Sequence, residues 1–364
     1  MEVQSNYETD AMDICKLCEI DYFQAIKKFY DNDEAALEFF RHHGIFPKSV
    51  ICPRCNTSCY FYKAQNQWRC PQWHWVQLKH KKNKKTKKYC NFTKSDRKGT
   101  FLERSKIQPW KSILFCNQVI NQKWDQALIK DYLNLSSQTL INCGVLVYEI
   151  AESWLAKQEP IGGNGEEVEV DVTYVVHRRN ENIRIRSRRW LFAGIERTNK
   201  RKFMVALNEG QYRDTEMLLK VLQKNVKPGS VIYSNSGNNL NLSSMKCKHF
   251  AVDHSKNSGN SINSHIHTNN VQKLLCSFKD TIRQGINPDN LQQHIARFLF
   301  FSSFDNKKEL LHHFFVEAVN INSFGSVRRQ TAVNGQKHSC YPEAFNANLD
   351  DTYSENILTE ILKK

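Results

Sequence analysis

Acidic side chains recur at every second position in Glu167-Val168-Glu169-Val170-Asp171. On a strand, that period puts the carboxylates on one face and Val168, Val170 and Val172 on the other. Carboxylates aligned in this way either face water on an edge strand or hold a divalent cation, because hard cations such as Mg²⁺ take oxygen ligands of this kind. A second constellation is built from sulfur. Cys52-Pro53-Arg54-Cys55 is a tight CxxC beside a proline, Cys70 follows in Trp68-Arg69-Cys70, and Cys90 lies beyond a run of lysines. Thiolate pairs on two hairpins give a tetrahedral, all-cysteine structural zinc site. The 19 residues between Cys70 and Cys90 exceed the usual spacing, so Cys59, His74 and His80 stand as substitute ligands. Cys15 and Cys18 form another CxxC, but within a helical pattern and with no second pair close by. They read as buried thiols.

The elements that must position these groups belong to a chain of 364 residues, long enough for two or three domains. Its 40% hydrophobic content and 21 Phe exclude general disorder. No apolar run approaches the ~20 residues of a membrane span, and the polar, acidic Met1–Asp10 is not a secretory signal. Twelve cysteines in that setting imply free thiols or zinc rather than disulfides. With 52 Lys+Arg against 37 Asp+Glu, the net charge is +15. Such a balance points to a polyanion, most often nucleic acid. The charge is concentrated in two places. One block holds Lys81, Lys82, Lys84, Lys85, Lys87 and Lys88; the other holds Arg178, Arg179, Arg184, Arg186, Arg188 and Arg189. The lysine block reads as a loop thrown out between Cys70 and Cys90. It suits phosphate contacts and a nuclear localisation signal, hence a nuclear location. The arginines suit a DNA backbone.

Residues 1–47 have apolar positions at helical spacing, and 48–103 hold the zinc ribbon with its basic insertion. Residues 104–158 are helical throughout. Ala127–Leu133, a turn at Asn134-Leu135-Ser136 and a second helix from Ser137 have helix-turn-helix spacing, with Gln138 at the start of the would-be recognition helix. A linker at Pro160–Gly165 opens the next domain, 165–322. There, three antiparallel strands, a crossover helix over 215–226, strands at 231–234 and 250–253 and a helix over 269–284 follow the RNase H-like order. Residues 290–322 are apolar enough to pack on it, and 323–364 read as a tail. The fold class is thus α/β, an RNase H-like core preceded by a helical N-terminus, a zinc ribbon and a helix-turn-helix region.

In this order and spacing, several motifs together resemble the Merlin superfamily of DDE transposases, related to the bacterial ISXO-group insertion sequences. They are CPRC at Cys52–Cys55, WRC at Trp68–Cys70, RKGTF at Arg97–Phe101, EVEVD at Glu167–Asp171 and WLFAGIER at Trp190–Arg197. KPGSVI at Lys227–Ile232, VDHS at Val252–Ser255 and HTN at His267–Asn269 complete the set, over roughly residues 20–320. The resemblance implies hydrolysis at transposon ends followed by strand transfer, with Mg²⁺ or Mn²⁺ at the catalytic centre and Zn²⁺ in a structural role. It also implies double-stranded terminal inverted repeats as partner, and a homodimer or higher assembly that pairs two ends.

In the family, three acids hold the catalytic metals. Here their positions read Asp171, Asn235 and Gln272, and only the first is acidic. Asparagine and glutamine keep the shape and lose the charge, which Mg²⁺ coordination depends on. Three readings follow. The protein binds DNA without cutting it; or it cuts with a rearranged set drawn from Glu169, Glu196, Asp253 and Asp280, with Asn269 as an alternative third ligand; or it is a non-catalytic zinc-ribbon nucleic-acid-binding factor.

Overall fold

The protein is described here from a computed structural model. The described residues are 15–77, 85–121, 126–178, 186–207, 214–235, 242, 245–252, 266–282, 290–319 and 321. They divide into two compact units: the chain up to Gln158 together with residues from Leu299 onward, and Glu159–Phe298.

The first unit opens with helices α1 (Tyr22–Phe29) and α2 (Asp33–His42). Asp21 sets the start of α1 by a reciprocal cap: its carboxylate accepts the Gln24 N–H at 2.7 Å, and the Gln24 side chain accepts the Asp21 N–H at 2.9 Å. Cys15–Cys18 therefore lies in a turn ahead of the helix, not inside it, which corrects the sequence pattern. Next come β1 (Tyr60–Tyr62), β2 (Gln67–Arg69), β3 (Trp73–Gln77), β4 (Lys85–Tyr89) and β5 (Thr93–Ser95). β1, β2 and β5 form one antiparallel sheet, and β3 and β4 form a separate hairpin. The insertion between Cys70 and Cys90 is thus strand-built at both ends. Lys85, Lys87 and Lys88 sit on β4 rather than in a loop.

Helices α3 (Pro109–Asn121), α4 (Gln126–Leu133) and α5 (Ser137–Ala156) follow. Asn134 takes a left-handed φ of 47°, which stops α4. Ser136 accepts the Thr139 N–H at 3.2 Å and starts α5.

The second unit is a five-stranded mixed sheet of β6 (Glu167–Arg178), β7 (Arg186–Glu196), β8 (Lys202–Leu207), β9 (Val231–Asn235) and β10 (Lys248–Val252), in the order β10-β9-β6-β7-β8. β6, β7 and β8 are antiparallel neighbours. β9 runs parallel to β6, and β10 parallel to β9. Helix α6 (Thr215–Asn225) makes the crossover, and α7 (Asn269–Thr281) follows the sheet. Val168, Phe192, Leu222 and Ile232 centre the core. The acidic strand is the central one, not an edge, and Val168, Glu169 and Val170 are all fully buried. Two glycines are steric requirements. Gly194 faces Phe203 across the β7–β8 pair, and a Cβ there would strike that ring. Gly162 has φ +76° and backs onto the Ser230 hydroxyl. The segment read as a linker is therefore part of the structure: Ile161 is buried and bridges to Val226.

Helices α8 (Leu291–Ser302) and α9 (Lys307–Val319) end the described chain. The sequence suggested that both pack on the sheet. From Leu299 on, they belong instead to the first unit, where Phe315 stacks edge-on against Phe39 (5.0 Å) and Phe40 (6.0 Å) and Glu317 binds Lys157 at 2.6 Å.

Candidate functional site

Strand alternation puts Glu169, Asp171 and Thr173 on one face of β6. The parallel register with β9 pairs Glu169 with Tyr233 and Val170 with Ser234, and the same step sets Asp171 beside Asn235 at the carboxyl end of that pairing. Helix α7 lies on this face. At its start, Glu169 accepts the N–H groups of Asn270 (2.8 Å) and Val271 (3.1 Å); further along, Lys279 donates to Thr173 Oγ1 at 2.6 Å. Gln272 follows Val271 in the first turn of α7, so the three positions the resemblance marks lie on β6, at the end of β9 and at the start of α7. One of the three is a carboxylate. Gln272 reaches back to Thr268 Oγ1 at 3.5 Å, and Asp171 Oδ1 accepts the Val172 N–H at 2.8 Å. Asn269, the alternative ligand, is exposed at the first position of α7.

Two of the acids that could replace the missing pair, Glu169 and Glu196, are held in the scaffold. Glu169 is fully buried, pairs with Arg197 Nε at 2.8 Å, and also accepts the Asn270 side-chain amide at 2.8 Å. A carboxylate at a helix N-terminus, on free amides and against a guanidinium, is stabilised by hydrogen bonds, the helix dipole and charge together. Arg197 spends its remaining donors on Glu167 (3.0 Å) and the His267 carbonyl (2.7 Å), and its guanidinium lies 4.1 Å from the Tyr233 ring centroid. Tyr233 donates to Glu167 at 2.9 Å; burial first, and then that carboxylate, raise its phenol. Glu196 is buried too, accepting the Gly162 N–H (2.9 Å) and the Asn199 amide (2.7 Å). The EVEVD, WLFAGIER and HTN motifs therefore meet in one network that seats the start of α7. Sequence reading singled out the motifs without the part Arg197 plays, since nothing in one chain's spacing pairs residue 197 with 169 and 267. Asp253 lies outside the described residues. Asp280 is exposed on α7.

The cysteine site gathers the residues expected from sequence. The sulfurs of Cys52, Cys55, Cys70 and Cys90 all lie within 4.8 Å of one another, with Cys52–Cys90 at 3.5 Å and Cys55–Cys70 at 3.3 Å. Backbone hydrogen bonds hold each half, the first in a tight turn and the second across the base of the insertion. The Asn56 N–H bonds the Cys52 carbonyl at 2.9 Å with Asn56 left-handed, and the Cys90 N–H bonds the Gln72 carbonyl at 2.9 Å. The Thr57 hydroxyl, then the Cys70 thiol, lower Cys55 to about 6, while burial pushes Cys70 up to about 12. A closed set of four thiols at this spacing fits Zn²⁺, at about 2.3 Å per sulfur. Cys59 is buried outside the set and His74 is exposed on β3; His80 lies outside the described residues.

Of the basic residues, Lys81, Lys82, Lys84 and Arg184 lie outside the described residues. Arg186 and Arg188 lie on β7, and of those arginines only the Arg189 side chain is described, half-buried with its Nε lacking a hydrogen-bond partner. On the β3–β4 hairpin, Trp73 pairs with Tyr89 and Trp75 with Lys87, so these four share a face, and all are exposed. Lys87 Nζ sits 4.3 Å from the Trp73 ring centroid. Gln138 is exposed at the start of α5 and donates to Asn142 at 3.1 Å.

These features define an α/β unit with a buried acid–arginine network and a separate four-cysteine site. Residues 163–302 match the ISXO2-like transposase domain, and this domain belongs to the DDE transposase family. No curated protein matches the chain. Among the described residues, no helix is long and apolar enough to cross a membrane.

Proposed function

We propose that the protein is a transposase-derived DNA-binding protein whose core is RNase H-like and whose cutting chemistry is impaired. The observation that carries this reading is that Glu169 and Glu196 are tied into the scaffold, while the three positions the resemblance marks, Asp171, Asn235 and Gln272, hold a single carboxylate. The strand order and parallel β6–β9 pairing support the RNase H-like core. The ancestral reaction is hydrolysis at the terminal inverted repeats, freeing a 3′-hydroxyl that attacks target DNA. A pair of Mg²⁺ or Mn²⁺ ions needs more anionic oxygen than this centre offers, so the donor set does not fit it. Zn²⁺ fits the four cysteines, where Cys52, Cys55, Cys70 and Cys90 would hold it and fix the ribbon.

DNA binding on this reading uses the β3–β4 hairpin, whose Lys85 and Lys87 share a face with the exposed Trp73 and Trp75, with α4–α5 as a helix-turn-helix that presents Gln138. A homodimer pairing two DNA ends and a nuclear location complete the proposal. The test is cleavage of duplexes carrying the element's terminal repeats, in Mg²⁺ and in Mn²⁺, by the wild type and by Asn235→Asp/Gln272→Glu. Cleavage by the double variant alone is expected. Cleavage by the wild type that Asp171→Ala abolishes would overturn the impaired reading.

A further inference from the structure

Sequence spacing reads Cys15 and Cys18 as buried thiols, yet they do not sit alone. One ligand atom each from Cys15, Cys18, His43 and His312 lies within 4.8 Å of the other three. The groups come from three distant stretches of the first unit: the turn before α1, the C-cap of α2, and the middle of α9. We propose that they form a second structural zinc site, of the Cys₂His₂ type, independent of the four-cysteine site.

The geometry favours a cation over a packed cluster of thiols. Cys15 and Cys18 close a tight turn, with the Cys18 N–H on the Cys15 carbonyl at 2.8 Å, as in a metal knuckle. Both sulfurs converge on a single atom, His43 Nε2, at 3.3 and 3.1 Å. One lone pair accepts one S–H, so hydrogen bonding alone satisfies only one of the two thiols there. The other His43 nitrogen, Nδ1, lies 2.9 Å from the Phe39 carbonyl, which places its proton on Nδ1 and leaves Nε2 as a lone pair aimed at the sulfurs. That is how an outer hydrogen bond orients a ligating histidine. His312 supplies a further mark: its Nδ1 is buried with no hydrogen-bond partner. Zn²⁺ at about 2.3 Å from sulfur and about 2.0–2.1 Å from nitrogen separates its tetrahedral ligands by roughly 3.3–3.8 Å, close to the spacings seen. Two thiolates and two imidazoles suit Zn²⁺ and offer no hard anionic oxygen for Mg²⁺ or Ca²⁺. The set is closed, so its role is structural. It would staple α9 to the N-terminal helices beside the Phe39–Phe315 contact, joining residues 15 and 312 at opposite ends of the described chain. Sequence spacing shows only the Cys15–Cys18 half of it, because His43 and His312 are 269 residues apart.

The test is metal content and Co²⁺ spectra of the purified full chain. The wild type should hold two zinc ions, and its Co²⁺ form should show superposed S₄ and S₂N₂ ligand-field bands. Cys18→Ser should lose one ion and leave the S₄ bands; Cys52→Ser/Cys55→Ser should leave the S₂N₂ bands. His312→Ala should drop to one ion, whereas His312→Cys, which restores a ligand, should keep two with a band shift toward S₃N. One zinc with S₂N₂ bands that Cys18→Ser removes would support this site while refuting the four-cysteine one. One zinc with S₄ bands only, two ions retained in Cys18→Ser, or equal behaviour of His312→Ala and His312→Cys would overturn the proposal.

Discussion

Arg197 holds Glu169 across 2.8 Å with the carboxylate fully buried, and through it Arg197 positions a helix it is far from in sequence. Glu169 passes the constraint to the backbone amides of Asn270 and Val271, so the start of α7 is fixed by an ion pair between β6 and the turn after β7. Removing one member of a buried pair leaves an uncompensated charge and costs about 3–5 kcal/mol. Arg197→Met should lower stability by roughly that amount and strip amide-exchange protection from Asn270 and Val271 before other parts of α7. Unchanged protection at those two amides would show that Glu169 does not seat the helix.

Gly194 makes a second, purely steric prediction. Its Cα faces the Phe203 ring with no room for a methyl group. Gly194→Ala should cost about 1–3 kcal/mol through overpacking. Gly194→Ala/Phe203→Leu should recover part of the loss, which chemical denaturation of the three proteins would measure. Additive losses would mean that the two positions do not share the space.

Glu149 on α5 gives the first unit a pH dependence. Burial, and then the neighbouring Glu152, push it up to about 7 from the ordinary 4.5. A raised carboxyl binds its proton more tightly in the folded state. Its stabilising contribution is therefore complete below the unfolded value and is lost as pH rises through the folded one. Stability of the wild type should fall between about pH 4.5 and pH 7 through this group. Glu149→Gln should flatten that part of the profile and raise Tm at the alkaline end by on the order of a few degrees. An identical slope in both proteins would refute it.

What the sequence made legible depended on how local the signal was. CxxC spacing, the period-two valines of β6 and the Ser136 cap each act within a few residues, and the structure builds a knuckle, a strand and a helix start from them. Alternation misled on Glu169. A period of two cannot distinguish a solvated carboxylate from one buried under a helix and matched by a guanidinium 28 residues later. Long-range pairings were equally silent. The convergence of His43 with His312 and the return of α9 to the N-terminal helices are set by packing among Phe39, Phe40 and Phe315. The residues at the family's acid positions were readable one by one, but the engagement of Glu169 and Glu196 in the scaffold was visible only in their hydrogen bonds.

On the proposed reading, the β3–β4 hairpin separates DNA binding from the condition of the sheet's acid positions. Lys85, Lys87 and Lys88 are exposed on β4, and Trp75 is exposed opposite Lys87. A two-stranded ribbon fits a major groove, and each phosphate neutralised by a lysine releases condensed counterions, so log K falls with log salt by about 0.9 per phosphate. Lys85→Glu/Lys87→Glu/Lys88→Glu should weaken duplex binding and lower the salt slope by roughly one for each phosphate no longer neutralised, whatever the DNA sequence. Asp171→Ala should leave affinity and slope unchanged, because one carboxylate in a centre short of acids holds no phosphate. Fluorescence anisotropy across a salt series decides both. An unchanged slope in the triple variant would move the DNA path off this hairpin, and an affinity change in Asp171→Ala would bring the sheet face into the binding surface.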